Sequence, residues 1–279
     1  MAVFELVPNL SEGRDAATID AAVDAVLETG ARVLHRTSDP VHHRSVLTIA
    51  GGDRQVLDAA VALAGVAVKH IDLRAHRGIH PRIGALDVLP FVPLRGASLA
   101  DAAALAHEAA ARIWETYRVP SFFYGAAARD PQRELLADVR SGEFEGLDVR
   151  FARMPPDVGE IPKHERAGAI AVGARPLLVA FNVELETGDL ALAKRIARTL
   201  RERDGGLRTL RALGLRLSGG VVQVSLNVTD VDATPLYLVV ETIARLAAKN
   251  GVALRRSELI GLIPRAAVET AARYYLGSL

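Results

Sequence analysis

The chain of 279 residues contains no cysteine, which excludes disulfides, a thiolate nucleophile and any cysteine-based zinc site. A metal would need histidine and carboxylate ligands. Aromatic residues are scarce at 5%, and only four of the 34 basic residues are lysines, a bias read as coding preference and not as function. Neither sign of charge dominates: 34 basic residues face 33 acidic ones, and no run of five like charges occurs. Composition therefore gives no nucleic-acid-binding surface, although a local basic cleft stays open. No apolar run approaches the roughly 18 residues that a membrane helix needs. Met1 to Ser11 enters strand-like sequence without the basic and apolar regions of a leader. The expectation is a cytoplasmic protein with neither membrane nor nucleic acid among its partners. What the chain does have is 50% hydrophobic and 24% charged residues, enough to bury a core in one or two domains and to exclude disorder.

Along the chain, Val3 to Leu10 reads as a strand, with Ser11 and Asp15 as caps for a helix from about residue 15 to Glu28. Strands follow at Ala31 to Leu34 and Ser45 to Ala50, then a helix over Arg54 to Lys69 and a strand over Ala85 to Leu94. That order, βαββαβ, is ferredoxin-like. Further elements are expected at Ser98 to Thr116 (helix), Pro120 to Tyr124 (strand) and Pro131 to Val139 (helix). Residues 141 to 176 carry four prolines and read as a long connection between two domains. From Leu177 the pattern repeats: strand, helix, two strands joined by Gly219-Gly220, helix, strand, closing helix. The predicted class is α+β, with two ferredoxin-like α/β sandwich subdomains, residues 1–176 and 177–279, and a cleft between them.

Three segments could carry chemistry. Ile71 to Pro90 concentrates two histidines, three arginines and two aspartates beside Gly78, Pro81 and Gly84. His76 and His80 are four apart, as metal ligands on one helix face would be, but Gly78 and Pro81 argue against a helix there. Two readings stay open: an imidazole beside guanidinium groups, suited to proton transfer on an anionic substrate, or turn histidines that only satisfy backbone groups. At the turn Asp39 to Ser45, adjacent His42 and His43 point to opposite sides of an extended chain, so both cannot serve one site. In Pro155 to Arg175, Lys163, His164, Arg166 and Arg175 could meet a carboxylate across glycine-rich backbone, or the glycines could be plain linker. There is no Walker loop, no dinucleotide fingerprint and no serine elbow.

Several strings resemble one family. LVPNLSEG (Leu6 to Gly13), HHRSVLT (His42 to Thr48), HPRIGALDVLPFVP (His80 to Pro93), Tyr124-Gly125 with Ala127 to Arg129, VGAR (Val172 to Arg175) with Ala180 to Asn182, and LIGLIP (Leu259 to Pro264) look like formiminotransferase, and the match is collinear over nearly the whole chain. The resemblance implies transfer of a formimino group from N-formimino-L-glutamate to tetrahydrofolate, a co-substrate, with no metal, as in histidine breakdown. It also implies a homodimer, and, with the chain ending at Leu279, a monofunctional form without a cyclodeaminase domain. His80 occupies the family's catalytic position. Gly159, Glu160, Ile161, Pro162, Lys163, His164, Glu165, Arg166, Ala167 and Gly168 occupy its folate-contacting segment.

The chemistry suits these residue types. Attack by N5 of the reduced pterin leaves an excess proton on that nitrogen, while the departing glutamate nitrogen must gain one, and one near-neutral imidazole can do both. Arg44, Arg82, Lys163 and Arg175 are candidates for orienting the carboxylates. Val41 and His43 stand where many relatives carry Asp and Asn, and the folate stretch is unusually charged at Lys163 to Arg166. Two alternatives are a folate-independent hydrolase acting on a formimino or related group, and a non-catalytic folate-binding protein.

Overall fold

The computed structural model of the chain describes residues 2–78, 81–160, 162–217 and 219–277. The chain divides into two compact units, Met1–Arg175 and Pro176–Leu279. In the first, β1 (Val3–Leu6) and β2 (Asn9–Leu10) are one strand interrupted at Pro8, since both pair with the same two neighbours. Helix α1 (Ala16–Glu28) starts where the Asp15 carboxylate accepts from the Ala17 amide at 3.0 Å, the capping interaction that the aspartate's position suggests. Strands β3 (Arg32–Asp39) and β4 (Arg44–Gly51) form a hairpin, and α2 (Asp53–His70) follows, its first turn closed by Gln55 accepting from the Gly52 amide. Strand β5 (Leu86–Arg95) leads to α3 (Leu99–Tyr117), which begins in a Ser98/Asp101 capping box.

The unit then continues beyond a single βαββαβ motif. Strand β6 (Ser121–Gly125) precedes a 3-10 turn at Pro131–Arg133, the short helices α4 (Leu136–Val139) and α5 (Leu147–Arg153), and strand β7 (Ile170–Ala174). The helix expected over Pro131 to Val139 is therefore split. Residues 141–174 are not the expected inter-domain connection: Phe144, Leu147 and Phe151 are buried in the first core, and β7 inserts between β5 and β6, parallel to both. The strand IAVGA has no polar alternation because it is buried throughout, so its pattern is not that of a half-exposed strand.

With β1 and β2 taken together, the sheet runs β3-β4-(β1, β2)-β5-β7-β6. Pro90 and Pro93 sit in a central strand, a place proline rarely occupies, but where the ladder is already broken. The Pro90 carbonyl accepts from Val7 beside the Pro8 interruption, and Pro93 pairs with Phe4 at a bulge. One face of the sheet packs Leu6, Ile49, Leu89 and Phe91 against alanine-rich α1, α2 and α3. Burying such a side chain is worth about 1.5–3 kcal/mol.

The second unit comprises β8 (Val179–Leu185), α6 (Leu190–Leu200), β9 (Leu210–Arg216), β10 (Val222–Val228), α7 (Leu236–Ala248), β11 (Leu254–Ile260) and α8 (Arg265–Tyr275). Its antiparallel sheet has the order β11-β8-β10-β9, which is fourth, first, third, second. The first four strands of the first unit follow the same order, so the βαββαβ architecture occurs twice. Val179, Phe181, Val183, Ile196, Val224 and Ile243 form a separate core. No helix among the described residues is long and apolar enough to cross a membrane.

Candidate active site

The histidine-rich segments meet at one end of the first unit. In the turn between β3 and β4, Asp39 Oδ1 accepts from the amides of Val41 and His42, each at 2.8 Å, and Oδ2 lies 2.6 Å from His42 Nδ1. Burial pushes the Asp39 carboxyl up, but these bonds outweigh it and hold the group below the ordinary carboxylate range. His43 follows with φ +53°, the left-handed region, and its ring stacks on His76 at 4.2 Å between centroids. Adjacent His42 and His43 thus do turn apart, His42 toward Asp39 and His43 toward the loop after α2.

That loop is pressed onto the turn. A β-carbon on Gly78 would lie 2.5 Å from the His42 carbonyl oxygen, so only glycine fits. His76 Nε2 donates to the His43 carbonyl at 2.9 Å, while Arg82 Nε donates to His76 Nδ1 at 3.2 Å. Those two bonds define the neutral tautomer with its proton on Nε2. Burial, His43 and Arg82 all pull the His76 imidazole below its usual range, against its bond to the His43 carbonyl. The Arg82 guanidinium also donates to Glu145 at 2.7 and 2.8 Å and to Glu143 at 3.1 Å. Glu145 is held down at about 2 by that bidentate contact. Arg82, expected among the substrate ligands, is engaged in this network. Around it opens a depression of about 780 Å³ lined by Arg74, His76, Arg77, Gly78, Arg82 and the Gly142–Glu145 stretch.

A second group of charges lies where β5 begins. Asp87, only 3% exposed at its side chain, accepts from the amides of Ile83 (2.7 Å) and Gly84 (3.2 Å) and pairs with Arg140, whose Nε is 3.1 Å away. Burial and the neighbouring Arg140 bring Arg44 down to about 10, against the pull of Asp87 and Asp39, so it stays charged at neutral pH. Tyr124 is pushed up to about 12 by burial, although Arg175 and Arg140 stand beside it. Arg175 also faces Glu5, whose carboxyl burial raises. Strand register puts Glu5 and Tyr124 on one face, because Glu5 pairs with Val92, Pro90 with Gly173 and Gly173 with Tyr124. Arg44 and Arg175, two of the expected substrate ligands, thus belong to a cluster in which Arg140 and Tyr124 stand between them.

The segment expected to contact folate is tied to the same loop. The amides of Ala167 and Arg166 donate to His164 Nδ1 at 3.1 and 3.3 Å, and Gly168 (φ +70°) closes a hairpin whose next residue, Ala169, donates to the Ile83 carbonyl at 3.0 Å. Burial and Arg166 lower the His164 imidazole against the pull of Glu165. Lys163 reaches Asp148 at 2.6 Å and lies over the Phe144 ring, Glu165 pairs with Arg74, and Arg166 with Asp72. Gly159, at φ +97°, packs against Trp114 so closely that a β-carbon would come within 2.7 Å of the ring. Glu160 and Pro162 are exposed, and Ala167 is buried. The site expectations for His80 and Ile161 fall outside the described residues. The flanks of position 80, Gly78 and Arg82, lie at the depression.

Sequence reasoning missed Arg140, Glu12, Glu143 and Glu145. Glu12 lies in the string LVPNLSEG, which by itself assigns it no role, the other three sit in no motif, and the partners of all four are 31 to 63 residues distant in the chain. Among the described residues, no group of three or more histidines and carboxylates is arranged to hold a metal ion.

Comparison with known proteins gives this site its context. Residues 3–175 match the formiminotransferase domain, N-terminal subdomain, and residues 180–278 match the formiminotransferase domain. A glutamate formimidoyltransferase of Streptococcus pyogenes serotype M1 is 39% identical over 98% of this chain and 93% of its own length. One of Thermoplasma acidophilum is 38% identical over 99% and 93%. The formimidoyltransferase-cyclodeaminase of Rattus norvegicus is 37% identical over 98% of this chain, which spans 52% of the rat protein. Two ferredoxin-like units with an imidazole- and guanidinium-lined depression are thus those of a group-transfer enzyme. The chain belongs to the formiminotransferase family.

Proposed function

We propose that the protein transfers the formimino group of N-formimino-L-glutamate to tetrahydrofolate, giving 5-formiminotetrahydrofolate and L-glutamate. The observation that carries this reading is the full-length similarity to two glutamate formimidoyltransferases, together with the meeting of loop 81–87 and hairpin 164–168 beside the depression.

In the proposed reaction N5 of the pterin bonds to the formimino carbon and the bond from that carbon to the glutamate nitrogen breaks. The proton from N5 passes to the His80 imidazole, and the glutamate nitrogen takes up a proton from it, so one group serves as base and then acid. Arg44 and Arg175, with Arg140 between them, supply positive charge for the donor's two carboxylates, and the Gly159 to Gly168 segment receives the folate. Arg82, already bonded to two glutamates and His76, serves by fixing the loop. The first 176 residues would then hold the proton-transfer machinery, and a homodimer is part of the same proposal.

A coupled assay with formiminoglutamate and tetrahydrofolate tests this. Formation of 5-formiminotetrahydrofolate only when both are present is the expected result. Release of ammonia or formamide without folate would replace it with hydrolysis, and folate binding without turnover would leave a binding protein.

A further inference from the structure

His43 is held by more of its surroundings than any catalytic reading so far uses. Its Nδ1 faces the Arg77 carbonyl at 3.0 Å and its Nε2 faces Glu12 Oε1 at 3.2 Å, so both ring nitrogens meet acceptors. The two side chains are only 12% and 15% exposed. Glu12 Oε1 also accepts from the amides of Gly13, Arg14 and Asp15 at 2.7 to 2.9 Å. Burial pushes the Glu12 carboxyl up, but those bonds and His43 outweigh it, so it is ionised at neutral pH. The ring is stacked on His76, which donates to the His43 carbonyl, and Gly78 is packed against the His43 β-carbon at a distance only glycine tolerates.

We infer that His43 is a positioning residue for the proposed transfer: with a proton on each ring nitrogen it fastens segment 76–78 to the β3–β4 turn and to Glu12, and so fixes the chain that leads into residues 79 and 80. The inference rests on the proposed function for its catalytic meaning and on geometry alone for the clasp. The titratable groups facing the ring are Glu12 from the segment after β2 and His76 from the loop after α2, with Arg82 bonded to His76 in turn. Asp39 and His42 neighbour it in its own turn, and Asp87 and Arg44 complete the cluster from β5 and β4. Loss of one proton from His43 turns a ring lone pair toward the Arg77 carbonyl or the Glu12 carboxylate, and either contact becomes repulsive.

Two variants of the full-length protein separate this role from a merely structural one. His43→Ala removes the clasp and should lower kcat about tenfold or more, with the KM values within about threefold, because misplacing a reacting group costs turnover before binding. His43→Asn keeps a residue that accepts the left-handed backbone and one uncharged donor toward the Arg77 carbonyl. It should retain most of kcat. Two-bond 1H–15N spectra of the wild-type imidazoles give a readout independent of activity, with both His43 nitrogens protonated at pH 6. Wild-type kcat in His43→Ala, a loss explained wholly by unfolded protein, no recovery of kcat in His43→Asn, or a neutral His43 ring at pH 6 would each overturn the inference. A wild-type protein that transfers no formimino group under any condition would instead overturn the proposed function, with the spectra still deciding the clasp.

Discussion

Replacing His80 with alanine should lower turnover by roughly 10²- to 10⁴-fold, the usual worth of a positioned acid or base, with substrate affinity largely kept. Steady-state kinetics checks this, and near-full turnover would remove His80 from the reaction. Arg140→Met makes a different demand. It removes the cation bonded to the Asp87 carboxylate, 3% exposed, and leaves only Arg44 as positive charge beside it; breaking a buried pair of that kind costs up to about 3–5 kcal/mol. Denaturant unfolding should show a loss of that order, and a loss below about 1 kcal/mol would mean that the two bonds from Ile83 and Gly84 suffice for Asp87. The two residues also mark what the sequence discloses at this scale. His80 stands in a string with a recognisable family likeness, whereas Arg140 lies in an undistinguished Arg-Ser-Gly and becomes visible only when folding sets it beside an aspartate 53 residues earlier.

At the scale of elements, the hairpin ending at Gly168 is the most exacting piece of the site. A β-carbon there would lie 2.1 Å from the Ile83 carbonyl, on a backbone with φ +70°. Gly168→Ala should cost about 1–3 kcal/mol of stability through left-handed strain and displace the loop it braces. It should also raise the KM for tetrahydrofolate well above any change in the KM for the formimino donor. An equal effect on both would detach the hairpin from folate. Most helices and strands are legible in advance because period and caps agree: Asp15, Ser98 with Asp101, and Asp189 each cap where a helix begins. Strand β7 is not, since five small or buried apolar residues among glycines carry no alternation. Its recognition depends on β5 and β6, which leave a parallel slot between them.

On the scale of the whole molecule, acid should act unevenly on the two units. Glu12, Asp39, Asp72 and Glu145 are all held below the ordinary carboxylate range, the last two at about 2, and all belong to the first unit. Among the described residues of the second unit only Asp204 is shifted in that direction. A carboxyl whose folded pKa is depressed contributes stability that is whole above its unfolded value, near 4, and is lost as pH falls through the folded one. Glu5, raised by burial, works in the opposite direction. Solvent exposure limits each contribution, but their number should make amides of the first unit lose hydrogen-exchange protection before those of the second between about pH 4 and 2. Simultaneous loss in both units would contradict this.

The duplicated βαββαβ order was open to sequence reasoning, whereas the guanidinium cluster of Arg44, Arg140 and Arg175 follows only from the folding that brings distant segments of the first unit together. The most direct test of the account follows the reacting atom itself. Formiminoglutamate carrying 13C at the formimino carbon, mixed with tetrahydrofolate and the intact protein, is observed by NMR. The account predicts that the 13C resonance moves from the glutamate-bound to the N5-bound position, only with folate present, and slowly or not at all in His80→Ala. Appearance of the label in formamide or formate, or its persistence on glutamate with the wild-type protein, would contradict it.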